Sequence, residues 1–130
     1  MQEKIDKLKS LKILFVEDEE DLIEIITDTL IKINANFLTA KNGEEALKII
    51  KKEVNIDVIV TDINMPVMNG LLMIEKLRNN NNDIPVIIMS AHTENEYIDR
   101  AKELGVDNYL LKPFDFIKFI DIVTTMEIKN

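Results

Sequence analysis

The sequence predicts an α/β protein: a doubly wound, five-stranded parallel sheet with helices on both faces. Two observations predict it. Strand-like and helix-like stretches alternate five times along the chain, the pattern of a parallel sheet built from crossover units. Four of the apolar, β-branched runs also end on a chemically capable side chain: ILFV leads into Glu17 and Asp18, DVIVT into Asp62, PVIIM into Ser90 and NYLL into Lys112. Open parallel sheets carry their chemistry in the crevice beyond the carboxyl ends of the strands, where strand order reverses. Four strand tips are therefore expected to converge on one site.

The first strand is expected near 12–17 and leads into a helix near 19–33, where Leu22, Ile25, Ile26, Thr29, Leu30 and Ile33 recur at helical spacing. A second strand, near 35–40, is followed by a helix near 43–53 that Asn42 and Gly43 open. The third strand, near 56–61, precedes a helix near 70–79 with Gly70 at its start. The run from Asn79 to Asn82 is a surface turn before the fourth strand, near 84–89. Its helix, near 94–104, ends at Gly105 and gives way to the fifth strand, near 107–111. The last helix, near 115–126, contains DFIKFIDIV and turns Phe116, Phe119, Ile120 and Val123 inward, with Ile117 and Ile122 beside them. That arc is wide, and Ile122 is expected on a dimer or domain-docking surface, because exposed apolar patches mark contacts. Residues 1–10, with Ile5 and Leu8 among charges, are a lead-in to a domain at 11–126, either a frayed extra helix or a linker. Residues 127–130 are a charged tail.

Length and composition narrow the function. A chain of 130 residues suits one domain with its own core. With 24 acidic and 16 basic residues the formal charge is -8, which disfavours binding to nucleic-acid phosphates or an anionic membrane. The absence of cysteine removes disulfides and thiolate metal sites, and a lone His92 removes multi-histidine sites. The opening MQEKIDKLKSLK lacks the continuous apolar core of a secretory signal. The longest uncharged stretches run about a dozen residues, short of the roughly 20 that cross a bilayer as a helix. A soluble protein of the reducing cytoplasm is the expectation.

Asp62 follows Val58, Ile59 and Val60, so its carboxylate is expected at the tip of a central strand covered on both faces. Glu17 and Asp18 end the first strand in the same way, and adjacent strands lie only about 5 Å apart. At that separation and an effective dielectric of about 20, each like-charged pair costs on the order of 3 kcal/mol, so three carboxylates need a counter-ion. Mg²⁺ suits them: it takes oxygen ligands, accepts one or two carboxylates while keeping water, and bridges to phosphate oxygens.

With the acidic pair, VTDINMPVMNG, Ser90-Ala91 and Leu111-Lys112-Pro113-Phe114 occurring in this order, residues 11–126 resemble a response-regulator receiver domain of the chemotaxis-regulator kind. The resemblance implies a flavodoxin-like receiver fold with strand order 2-1-3-4-5 and a place in a two-component phosphorelay. Asp62 would accept a phosphoryl group from the phosphohistidine of a sensor histidine kinase or histidine phosphotransfer protein. Asp18 and Asp62 would bind Mg²⁺, with Glu17 binding directly or through water and the backbone carbonyl of Asn64 completing the protein's share. Lys112 would pair with Asp62 before transfer and with a phosphate oxygen after it. Ser90 matches the family's switch hydroxyl and Tyr109 the aromatic that swings inward behind it, altering the face of the fourth helix, fifth strand and fifth helix. Lys112-Pro113 matches a bond that is often cis in the family. His92 would lie at the site entrance, with an inert exposed histidine as the alternative. The implied partners are the phosphodonor protein and either a fused output domain or a second copy of the chain. The protein would not be an enzyme beyond its own phosphorylation and dephosphorylation, and the tail ending just after the last helix favours a receiver within a longer protein.

Plainer readings stand beside these. Glu19, Glu20 and Asp21 read as a solvated helix start that complements the macrodipole. Asp62 could cap the next loop, although Asn64 and Asn69 could do so equally well. Ser90 could bond local backbone, Lys112 could be a surface lysine, and Tyr109, like Met65, Met68, Met73 and Met89, could simply pack. Leu71 and Leu72 are more apolar than the family usually has after this glycine. A haloacid dehalogenase-type phosphatase also places a nucleophilic Asp after a strand, but it needs an acid two residues on, and the amide of Asn64 cannot titrate. A degenerate receiver acting as a scaffold is a third reading, although every chemical position is intact. An FMN-binding flavodoxin is a fourth, disfavoured because an acidic first loop repels the cofactor's phosphate.

Overall fold

The run Ile13 to Val16 is buried on both faces, and a strand without a polar face belongs in the middle of a sheet. In the computed structural model, which describes residues 1–53, 55–90 and 95–126, that run is β1 (Lys12–Val16). β2 (Asn36–Ala40) and β3 (Val58–Asp62) flank it, followed outward by β4 (Val86–Ser90) and β5 (Asn108–Leu111). All five strands are parallel in the order β2-β1-β3-β4-β5. The expected order is therefore the observed one, and each strand lies within two residues of its expected bounds. One shift matters: Asp62 is the last residue of β3, paired with Met89 of β4, rather than the first residue after the strand.

The helices are α1 (Gln2–Lys9), α2 (Glu20–Lys32), α3 (Gly43–Lys52), α4 (Gly70–Asn79), α5 (Asn95–Glu103) and α6 (Phe116–Thr125). They divide between the two faces as the strand alternation dictates. Ile13 and Phe15 of β1 join Val58 and Val60 in a core with Leu22, Ile26 and Leu30 of α2 and Phe119, Ile120 and Val123 of α6. Leu14, Val16 and Ile59 turn to the other face, against Ala46 of α3, Met73, Ile74 and Leu77 of α4 and Ala101 of α5. Phe15, Phe114 and Phe119 contact one another at ring-centroid separations of 5.4–6.3 Å. The methionines divide likewise, Met89 in the first core, Met73 in the second, with Met65 and Met68 packed against the second.

The patterning of residues 1–10 is compatible with either a frayed helix or a linker. They hold α1, which packs against α6 and buries Leu8 completely, with Leu11 nearly so. Lys4 pairs with Asp121, and Lys7 Nζ donates to the Thr124 carbonyl in the last turn of α6, where a cation complements the helix dipole. Counting α1, the expected fourth and fifth helices are α5 and α6. Ile122 is half-buried against the first core, and the exposed apolar residue of α6 is Ile117. Among the described residues no helix is long and apolar enough to cross a membrane.

Candidate functional site

β1 and β3 are neighbours, yet the chain runs from β1 out to β2 and from β3 out to β4. Their carboxyl ends therefore border the crevice where strand order reverses. Glu17, just beyond β1, is completely buried, Asp62 is buried at the tip of β3, and Asp18 is half-buried. One carboxylate oxygen from each of the three lies within 4.8 Å of the others. Lys112, just beyond β5, reaches in from the opposite side: its Nζ is 2.8 Å from Glu17 Oε1 and 2.9 Å from Asp62 Oδ2. The remaining oxygens bond to backbone. Asp62 Oδ1 accepts from the Ile63 amide at 2.7 Å, and Glu17 Oε2 accepts from the amides of Asp18 and Glu19 at 3.0 and 3.2 Å.

One ammonium faces several acids, and the charge is unbalanced. Burial pushes the Glu17 carboxyl above its ordinary value and the Asp62 charge adds to the push, while Lys112 and the Glu19 amide pull the other way without reversing it. Burial also opposes the charge of Lys112, but its bonds to Glu17 and Asp62 outweigh burial and hold the ammonium more firmly protonated than usual. Glu17 Oε1 is buried without a well-directed hydrogen bond, its contact with Lys112 being an ion pair. A buried carboxylate oxygen so poorly satisfied, beside two further carboxylates, is a donor set that fits a hard divalent cation.

Comparison with known proteins agrees with this geometry. The family model described as the response regulator receiver domain matches residues 13–124. The chain belongs to the response-regulator receiver family. A chemotaxis protein CheY homologue of Campylobacter jejuni is 35% identical over 107 residues, which cover 80% of this receiver and 82% of the relative. The crystal structure of a response regulator receiver protein from Pseudomonas putida superposes with a TM-score of 0.81 at 26% identity, covering 89% of this chain and 97% of that one. The same fold, with a TM-score of 0.79 at 23% identity and coverage of 88% and 86%, occurs in a Saccharomyces cerevisiae receiver crystallised with its histidine phosphotransfer signalling protein. Receiver domains are signalling modules of two-component systems, not classical enzymes.

The other expected site residues of this receiver lie at the end of β4, within β5 and in the loop after β3. Ser90 ends β4, and its carbonyl accepts from the Lys112 amide at 2.9 Å. Tyr109 lies in β5 opposite Ile88, half-buried against the second core, and its hydroxyl approaches the Ile98 carbonyl at 3.5 Å. Burial, with Asp107 and Asp99 nearby, raises its phenol pKa. Asn64 is exposed in the loop after Asp62. The Lys112-Pro113 bond is cis. Ala91, His92 and the tail at 127–130 lie outside the described residues.

The loop from Asp62 to α4 is tightly anchored. The Gly70 amide donates to Ile63 O and the Gly43 amide to Met68 O, both at 2.9 Å. Between them the Met68 amide donates to Pro66 O at 2.7 Å across Val67, whose φ of 67° is a rare conformation for a β-branched residue. Two residues make contacts beyond those the sequence predicts. Arg78 donates to the carbonyls of Leu104, Asn82 and Ile84, tying α4 to the loops at the far end of the sheet, and no local motif announces it. Glu19, expected in a solvated helix start, is the N-cap of α2, and its Oε1 lies 3.5 Å from Lys112 Nζ. Its place next to Asp18 was the available signal.

Proposed function

We propose that this receiver takes a phosphoryl group onto Asp62 from the phosphohistidine of a sensor kinase or histidine phosphotransfer protein, in a Mg²⁺-dependent reaction. An oxygen of Asp62 attacks phosphorus, the phosphorus–nitrogen bond breaks, and the departing imidazole keeps the electron pair and takes up a proton. Asp18, Asp62 and the Asn64 backbone carbonyl would hold the cation, with Glu17 binding it directly or through water. When bound, it supplies positive charge beside the transferring phosphoryl group, whose loose transition state depends on positioning and electrostatics. Lys112 pairs with Asp62 before the cation and phosphodonor arrive and turns to a phosphate oxygen after transfer. The hydroxyl of Ser90 then bonds the phosphate and Tyr109 packs inward, changing the face made by α5, β5 and α6. The partner class is the one crystallised with the yeast receiver.

The observation that carries this reading is the approach of Lys112 Nζ to within 2.9 Å of an Asp62 carboxylate that shares its pocket with two more acids. Incubation with acetyl phosphate and Mg²⁺, read by intact mass, tests it. The wild-type chain should gain the mass of one phosphoryl group, and Asp62→Asn, or wild type without Mg²⁺, should gain none. A wild-type chain that stays unmodified, or an Asp62→Asn variant that is modified equally, overturns the reading.

A further inference from the structure

Lys112 touches three carboxylates, and only two of them belong to the acidic trio. Glu17 and Asp62 lie 2.8 and 2.9 Å from its Nζ and are almost wholly buried, whereas Glu19, at 3.5 Å, has a side chain 65% exposed. Among the described residues Glu19 is not in the group able to hold a metal ion. As the N-cap of α2, it makes no hydrogen bond from its side chain to the helix amides. Its amide is fixed on Glu17 Oε2, and its carboxylate turns toward the lysine.

The geometry points to Glu19 as a positioning residue for Lys112: a carboxylate outside the metal-binding trio that receives the ammonium when Glu17 and Asp62 are taken up by a cation. This rests on the reading of the trio as a cation site. An incoming divalent ion must compete with Lys112 for the same carboxylate oxygens. Without another partner, the displaced ammonium would stay in a partly buried pocket without a counter-charge, which is costly. Glu19 lies within a short side-chain rotation and keeps the ammonium at the mouth of the pocket, facing Asp62. The cost of admitting the cation falls, and the lysine remains within reach of an arriving phosphoryl group.

A plain charge effect and a role through Lys112 differ in a double-mutant cycle. Mg²⁺ affinity would be measured by calorimetry for wild type, Glu19→Gln, Lys112→Met and the double variant, with thermal unfolding as the control for folding. In wild type the Glu19→Gln change should weaken Mg²⁺ binding about two- to fivefold, the scale of a partly exposed ion pair. In the Lys112→Met background the same change should have almost no effect. Equal weakening in both backgrounds means that Glu19 acts as a bare charge and overturns the proposal. Should Lys112→Met not fold, the Lys112 ammonium resonance can be followed by NMR through a Mg²⁺ titration. It should persist in wild type and vanish into solvent exchange in Glu19→Gln, and identical behaviour in the two overturns the proposal. Failure of wild type to bind Mg²⁺ at all is a different result, since it removes the cation-site reading itself and this proposal with it.

Discussion

A Cβ atom at residue 70 would lie 2.1 Å from the Asp62 carbonyl oxygen and 3.2 Å from Thr61 Oγ1. Gly70 opens α4 directly behind the backbone of the acceptor, so the need here is for close approach rather than for an unusual φ. Gly70→Ala must push the tip of β3 or the start of α4 aside. It should lower stability by at least about 2 kcal/mol in urea unfolding and sharply reduce modification by acetyl phosphate. Charge gives a second expectation at this scale. The pKa of Lys112 is raised in the folded protein, so its contribution to stability is complete below the ordinary value of 10.5 and is lost as pH rises through the folded value. Glu17 is also raised, so its contribution is complete below 4.5 and declines as pH rises through its folded value. Urea midpoints of wild type should therefore fall as pH climbs beyond 10.5, and Lys112→Met should flatten that limb.

At the level of elements, α1 is bound to α6 by Leu8, Leu11 and the pairs made by Lys4 and Lys7. Leu8→Ala should cost about 2–5 kcal/mol, the range for truncating a fully buried leucine, measurable as a lower urea midpoint without loss of the sheet's circular dichroism. The same helix shows where reading the sequence stops. The five strands and the helices from α2 onward were legible because each carries a full apolar period, two for a strand and 3.6 for a helix. α1 has eight residues and few apolar side chains among many charges; a helix so short is marginal alone and owes its existence to what it packs on. Ile122 is half-buried against the first core, and periodicity indicates which side of α6 is apolar but not how much of that side the rest of the fold covers. At the site, Glu17, Asp18, Asp62 and Lys112 were legible because each ends or follows a strand whose direction the apolar run fixes. The contact of Glu19 with Lys112 spans 93 positions of sequence, and only the assembled sheet reveals it.

Across the whole molecule, the parallel order β2-β1-β3-β4-β5 brings residues 17, 18, 62, 90 and 112 to one end of the sheet. Packing elsewhere must hold that concentration of negative charge in place, and the chain as a whole is acidic as well. A ligand that binds only the folded state stabilises it by mass action, by about 2.7 kcal/mol at a hundred times its dissociation constant. Millimolar Mg²⁺ should therefore raise the unfolding temperature of wild type measurably. Asp18→Asn should lose most of that increment while remaining folded. An equal increment in both would mean that the cation binds elsewhere.

The bond from the Lys112 amide to the Ser90 carbonyl has a mechanical consequence. It fastens the root of the amine to the root of the alcohol, so the two are prongs of one fork whose handle is the β4–β5 pair. The two roots are coupled by one interstrand hydrogen bond, so a displacement of either backbone loads the other.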